Sequence, residues 1–202
     1  VYGANAYNPA LLDESSPLKA SELDMELADS VELDNLCNIH LWMHPSLNIT
    51  LLRPGNILGT GVNNALSILM SRNRAPSLIG FSPMMQFIHV EDMADAVVLA
   101  FKKNKPGIYN VAPDDYVAYQ EALELAGCKK LPIPSIPPML PRMIARVLND
   151  KAFPVYLVDY LKYPVILDGS VFNKTFGFKP RCSLAQIFGG YRVKTPLALR
   201  QA

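Results

Sequence analysis

Between residues 48 and 112, short apolar, β-branched runs alternate with stretches of helical period, and this alternation restricts the fold more than any other feature of the chain. The run Asn48-Ile49-Thr50-Leu51-Leu52-Arg53 is stopped by Pro54-Gly55, as a buried strand entering a loop would be. After a tight turn at Gly59-Thr60-Gly61 the pattern predicts a helix over 64–72, a strand over 86–90, a helix over 91–103 and a strand over 107–112. Strands and helices in this order predict a layered α/β domain with parallel pairing.

Residues 1–20 carry turn chemistry (Asn8-Pro9, Ser16-Pro17) and predict a surface loop. A long amphipathic helix follows, opened by Ser21 and closed by Met43, with Leu23, Leu27, Val31 and Leu36 at helical spacing. From Lys130 the texture changes: many of the 17 prolines are interleaved with bulky apolar residues. The expected organisation is therefore an α/β part over 1–129 and a Pro-rich lobe over 130–202 that packs on it as a lid, with a helix opened by Pro141.

A chain of 202 residues that is 50% hydrophobic can bury a core without a metal or disulfide staple. Its 19 basic and 18 acidic side chains leave no basic excess to hold a nucleic acid. Cys37, Cys128 and Cys182 are odd in number and far apart, which predicts reduced, buried thiols and a cytoplasmic location. No apolar run has the length of a membrane span, so no membrane partner is expected. The first residues, Val1-Tyr2-Gly3, hold neither an initiator Met nor a secretory signal, and the expectation is a cut N-terminus.

Five stretches share an order with a known family. They are Val1-Tyr2-Gly3 followed by Asn8-Pro9, Glu14 and Pro17-Leu18; Leu52-Arg53-Pro54-Gly55-Asn56-Ile57-Leu58-Gly59; Phe87-Ile88-His89-Val90-Glu91-Asp92-Met93-Ala94-Asp95-Ala96; Gly107-Ile108-Tyr109-Asn110-Val111; and Phe176-Gly177-Phe178-Lys179-Pro180-Arg181. Together they resemble the extended short-chain dehydrogenase/reductases, the NAD-dependent epimerase/dehydratase family. The resemblance implies a partial Rossmann-like sheet with a C-terminal substrate lobe and a small-molecule substrate between them. It also implies NAD or NADP as cofactor, with Pro54 and Gly55 passing beside the nicotinamide and Asn56 and Gln86 facing substrate.

Two departures bear on chemistry. The family's Gly-rich pyrophosphate turn belongs to a strand-helix unit that would precede Val1, so the cofactor site is expected to be completed by an N-terminal half or a partner chain. Its catalytic Tyr and Lys stand four apart on the helix that corresponds to 21–43, falling on Asp24 and Ala28 or on Glu26 and Ser30. No Tyr-x-x-x-Lys occurs anywhere in this chain. Met84, Met85 and Gln86 also stand where sugar-nucleotide enzymes carry an Arg, and 161–168 lacks a second, which disfavours a nucleotide-sugar substrate.

The remaining candidates read as structural. Asn64 stands in place of the third glycine of a dinucleotide fingerprint, so Gly59 to Asn64 is expected to be a turn. His89 has no second His or Cys at ligand spacing and reads as a hydrogen-bonded structural residue, and His40 and His44 lack a third zinc ligand. The acids Glu22, Asp24, Glu26, Asp29, Glu32 and Asp34 go round every face of their helix and predict a solvated surface. Arg142 and Arg146 predict an ordinary lid helix.

Three functional readings stay open: a catalytically incomplete portion of an NAD(P)-dependent epimerase/dehydratase-like protein; a non-catalytic binding or assembly subunit, homodimeric through helix 21–43; and an enzyme using a helix acid as proton donor. On each, the apolar faces are expected to need a partner or a further segment.

Overall fold

The computed structural model describes residues 1–137, 139–148, 150 and 153–192. A 3-10 turn at Ala20–Glu22 precedes the first helix, α1 (Met25–Met43). Then come β1 (Thr50–Pro54), β2 (Asn56–Leu58), α2 (Ala65–Met70), β3 (Arg74–Leu78), β4 (Met84–Met85), β5 (Phe87–His89), α3 (Val90–Lys103), β6 (Gly107–Val111), β7 (Val117–Ala118), α4 (Tyr119–Leu125) and β8 (Lys129–Ile133). The C-terminal part is helical: α5 (Leu140–Leu148), α6 (Leu157–Tyr160), α7 (Ser170–Phe176) and α8 (Leu184–Arg192).

The predicted alternation is present. β1 runs parallel to β6, with Arg53 opposite Asn110, and β2 runs parallel to β5, with Asn56 opposite Phe87. Both helices between these strands are capped as their sequences suggest. The Asn64 side chain accepts from Ser67 N–H at the start of α2, and α3 begins at His89 and ends at Asn104 in the left-handed conformation. The first helix differs: its α-turns begin at Met25, because residues 20–22 form the tighter 3-10 turn instead.

β3 and β8 pair in parallel over five positions, Arg74 to Leu78 against Lys129 to Ile133. β8 therefore straddles residues 129 and 130, and the Pro-rich segment opens as a strand. Pro76 and Pro132 are accommodated because this ribbon has two strands, each of which is an edge among the described residues.

Among the described residues, three apolar clusters hold the fold. The largest joins Leu58, Phe87, Tyr119 and Leu123 to Phe153, Leu157, Leu161 and Phe188, so the Pro-rich segment and α8 close over α2 and α4. A second gathers Phe172, Phe176 and Phe178 around Tyr109 of β6 and Ala96 of α3, with Phe172 and Phe176 stacked at 4.5 Å. Residues 166–178 thus pack on the α/β part. The third joins Tyr2 and Leu12 to Ala112 and Leu167, where Leu12 bridges to Leu167. Part of the N-terminal segment is accordingly buried, not a surface loop throughout.

Large apolar side chains are left outside these clusters. α1 exposes Leu33, Leu36, Ile39 and Met43, and α3 exposes Val97, Val98 and Phe101, the last at 85%. Among the described residues, no helix is long and apolar enough to cross a membrane.

Candidate functional site

At the carboxyl end of β1 the chain leaves a cleft of about 400 Å³, the place where parallel α/β sheets collect ligands. Its walls come from Tyr2 and Gly3, from Ser30 and Asp34 on α1, from 51–56, and from Gln86, Tyr160 and Leu167. Tyr2 is positioned by backbone pairing: its carbonyl accepts from Lys19 N–H at 3.1 Å, while Ala20 N–H reaches Val1 O at 3.0 Å. Gly3 is required there, because its φ is +77° and a Cβ would come within 2.9 Å of Ala20 N.

The four predicted site residues, Pro54, Gly55, Asn56 and Gln86, all line this cleft. Gly55 N–H donates to Val111 O at 3.0 Å, tying the loop after β1 to the end of β6. Asn56 donates its amide to Gln86 O at 2.9 Å. The buried Gln86 side chain is committed to the backbone: its amide nitrogen donates to Pro113 O and Leu167 O, at 2.9 and 3.1 Å, and its oxygen accepts from Leu167 N–H at 2.7 Å. A smaller hollow of about 270 Å³ shares Gly55, Asn56 and Tyr160 with the cleft and extends it towards Asn64 and Tyr156.

Residues not expected at the site organise the cleft. Arg53, at 6% exposure, donates from Nη2 and Nε to the two oxygens of Asp34, at 2.6 and 2.7 Å. Its Nη1 donates to Tyr2 Oη and to Glu14 O, each at 2.9 Å. Tyr2 in turn donates to Asn110 Oδ1 at 2.6 Å, and Asn110 donates to Leu12 O at 3.0 Å. Asp34 therefore corrects the expectation of a solvated acid: at 3% exposure it is the buried counter-ion of Arg53. The available signal was an Arg inside an apolar strand, since a buried guanidinium needs a carboxylate partner.

Ser30 and Asp34, one turn apart, define the face of α1 that meets the cleft. Of the two registers open from sequence, the one through Glu26 and Ser30 includes a residue of this wall, Ser30, whereas neither Asp24 nor Ala28 lines it. No lysine lines the cleft among the described residues, and its two tyrosines are displaced away from ionisation. Burial pushes the Tyr2 phenol up, only partly offset by Arg53. Burial also pushes Tyr160 to about 12, with Tyr156 and Asp159 adding to it. A proton-exchanging phenol needs the opposite displacement.

Elsewhere, Gly59 to Asn64 is the expected turn, with Gly59 and Gly61 at positive φ. His89 caps α3, its Nδ1 accepting from Glu91 N–H at 3.3 Å, but the fold also supplies the neighbouring cysteine that spacing did not reveal, Cys182. The imidazoles of His40 and His44 stack at 5.3 Å, and they are in no metal-binding cluster among the described residues. All three cysteines are free; Cys128 is buried, whereas Cys37 and Cys182 are only half-buried, which corrects the expectation for those two. Arg142 holds Asp159 with bonds of 2.9 and 2.8 Å, so it fastens α5 to α6.

The stretch from α1 through the end of β6 carries every polar group of the Arg53 network except those before residue 20. Residues 33–112 match the model of the NAD dependent epimerase/dehydratase family. An uncharacterized protein of Mycobacterium tuberculosis is 22% identical over 95% of this chain and 51% of its own length, and one of Sinorhizobium fredii is 25% identical over 93% and 48%. The chain thus spans about half the length of these relatives. Among solved structures, the dTDP-glucose 4,6-dehydratase DesIV of Streptomyces venezuelae, with NAD and TYD bound, superposes with a TM-score of 0.67 at 16% identity, over 95% of this chain and 57% of that one. The UDP-glucuronic acid 4-epimerase of Bacillus cereus, in complex with NAD, gives 0.66 at 13%, over 93% and 56%. The chain therefore has a partial Rossmann-like α/β fold.

Proposed function

We propose that this chain is the substrate-side portion of an NAD(P)-dependent epimerase/dehydratase-like protein, and that its cleft binds a small molecule without the family's tyrosine-lysine proton transfer. One observation carries the reading: the cleft-facing turn of α1 presents Ser30 and Asp34, and Asp34 is bound through both oxygens to Arg53. Neither side chain can replace a phenol activated by an ammonium group. The cytoplasm, where its three thiols stay free, is the proposed location.

Pro54, Gly55 and Asn56 fit one edge of a nicotinamide cofactor, which would supply hydride chemistry when bound. The backbone after β1 is fixed by the Gly55–Val111 bond, and the Asn56 amide is oriented by Gln86 O. Calorimetric titration with NADH and NADPH tests this on the chain and on a form extended upstream. Binding by the extended form without turnover is the expected result. Turnover in that form, lost on Glu26→Gln or Asp24→Asn, would establish a helix acid as proton donor and overturn the proposal.

The exposed row Leu36, Ile39 and Met43 on α1 favours a second, compatible reading, assembly with another copy through this helix. Sedimentation velocity should give a dimer that Leu36→Glu with Met43→Glu converts to monomer.

A further inference from the structure

Away from the cleft, His89, Glu91 and Cys182 bring one ligand atom each to within 4.8 Å of one another, although Cys182 is remote from the other two in sequence. We propose that these three side chains form a zinc-binding site that fastens the segment before α8 to the start of α3.

The geometry is close to what the ion requires. Tetrahedral donors at about 2.0–2.3 Å from zinc lie roughly 3.3–3.8 Å from one another, and Glu91 Oε2 is already 3.9 Å from His89 Nδ1. Nδ1 is the donor that the surroundings select. The Nε2 edge lies against Gly59, where a Cβ would sit 3.1 Å away, whereas Nδ1 engages only a long 3.3 Å bond from Glu91 N–H that a metal would replace.

The cysteine is held in place by independent contacts. Buried Asp92 accepts from Arg181 N–H and from Cys182 N–H, each at 3.0 Å, which pins the backbone of Cys182 beside the first turn of α3. A helix N-terminus by itself repels a cation, but here Glu91 and Asp92 lie in its first turn, and Arg181 is paired with Asp92 and Asp95. Thiolate, imidazole and carboxylate in one set suit zinc better than magnesium or calcium. On binding, the Cys182 thiol proton leaves to solvent, and water completes the fourth position.

The test is titration of the reduced chain with Co²⁺, followed by absorbance. One equivalent should produce a sulfur-to-cobalt charge-transfer band and the visible bands of a four-coordinate ion, both removed by one equivalent of Zn²⁺. Cys182→Ser should abolish the charge-transfer band, while Cys37→Ser and Cys128→Ser retain it. Glu91→Gln should weaken binding by at least about tenfold, a loss that even outer-shell partners produce. His89→Asn keeps an acceptor for capping α3 and should also abolish the band. Absence of the band in the wild-type chain with its thiols reduced, or its survival in Cys182→Ser, would overturn the proposal. Circular dichroism of each variant separates lost ligation from lost folding.

Discussion

Asp34 and Arg53 meet through two hydrogen bonds of 2.6 and 2.7 Å, joining α1 to β1 where neither residue is exposed beyond 6%. A buried pair of this kind is costly to break from one side, because the remaining charge keeps its desolvation penalty without its partner. Asp34→Ala should therefore destabilise the fold by about 3–5 kcal/mol, read from urea unfolding. Replacing both partners, as Asp34→Leu with Arg53→Met, should recover much of that loss. A double variant as unstable as the sum of the two single ones would show that the pair does not act as a unit.

Gly169 and Gly55 should respond differently to the same added methyl group. At Gly169 a Cβ would lie 2.5 Å from Ala112 O, a backbone atom that cannot swing aside. Gly169→Ala should cost about 1–3 kcal/mol or more through overpacking. At Gly55 the nearest atom would be the Ala112 methyl at 3.8 Å, an ordinary contact. Gly55→Ala should leave the melting temperature nearly unchanged while lowering the affinity of the extended form for NADH. An equal loss of stability in both variants would contradict this geometry.

Alkaline pH should weaken the protein earlier than its amide chemistry requires. Burial, the leading cause in each case, raises Tyr2, Tyr119 and Tyr160 above their ordinary value of 10.0, with Tyr160 reaching about 12. The unfolded chain ionises these phenols near pH 10, whereas the fold keeps them neutral. Their stabilisation is thus complete below pH 10 and is lost as the pH rises towards 12 and beyond. Thermal melts between pH 9 and pH 12 should show a falling midpoint, and phenolate absorbance should titrate with a delayed fraction. Tyr160→Phe should flatten the slope; an unchanged slope would remove Tyr160 from this account.

Much of the α/β frame could be read from local pattern. β1 and β6 are apolar runs bounded by turn residues, and α2 and α3 carry their own caps in Asn64 and His89. β3 and β8 were not legible, because Pro76 and Pro132 imitate loop chemistry and only their mutual pairing shows them to be strands. The same holds for the site. Pro54, Gly55 and Asn56 follow a strand end and could be named, but the burial of Asp34 depends on Arg53, which is distant in sequence. Periodicity reports which face of a helix is apolar; it does not report that a charge on that helix has a counter-ion waiting on a strand. The approach of Cys182 to His89 is likewise set by Asp92, through bonds that no spacing rule encodes.

The commitment of Gln86 to Pro113 and Leu167 has a consequence for recognition. One amide fastens three remote stretches of chain together beneath the opening. On the proposed function, a ligand entering the cleft would meet a preorganised surface and give up little conformational freedom in ordering it. Selectivity would then rest on complementarity set in advance of the encounter, a wall whose outline does not mould itself to the guest.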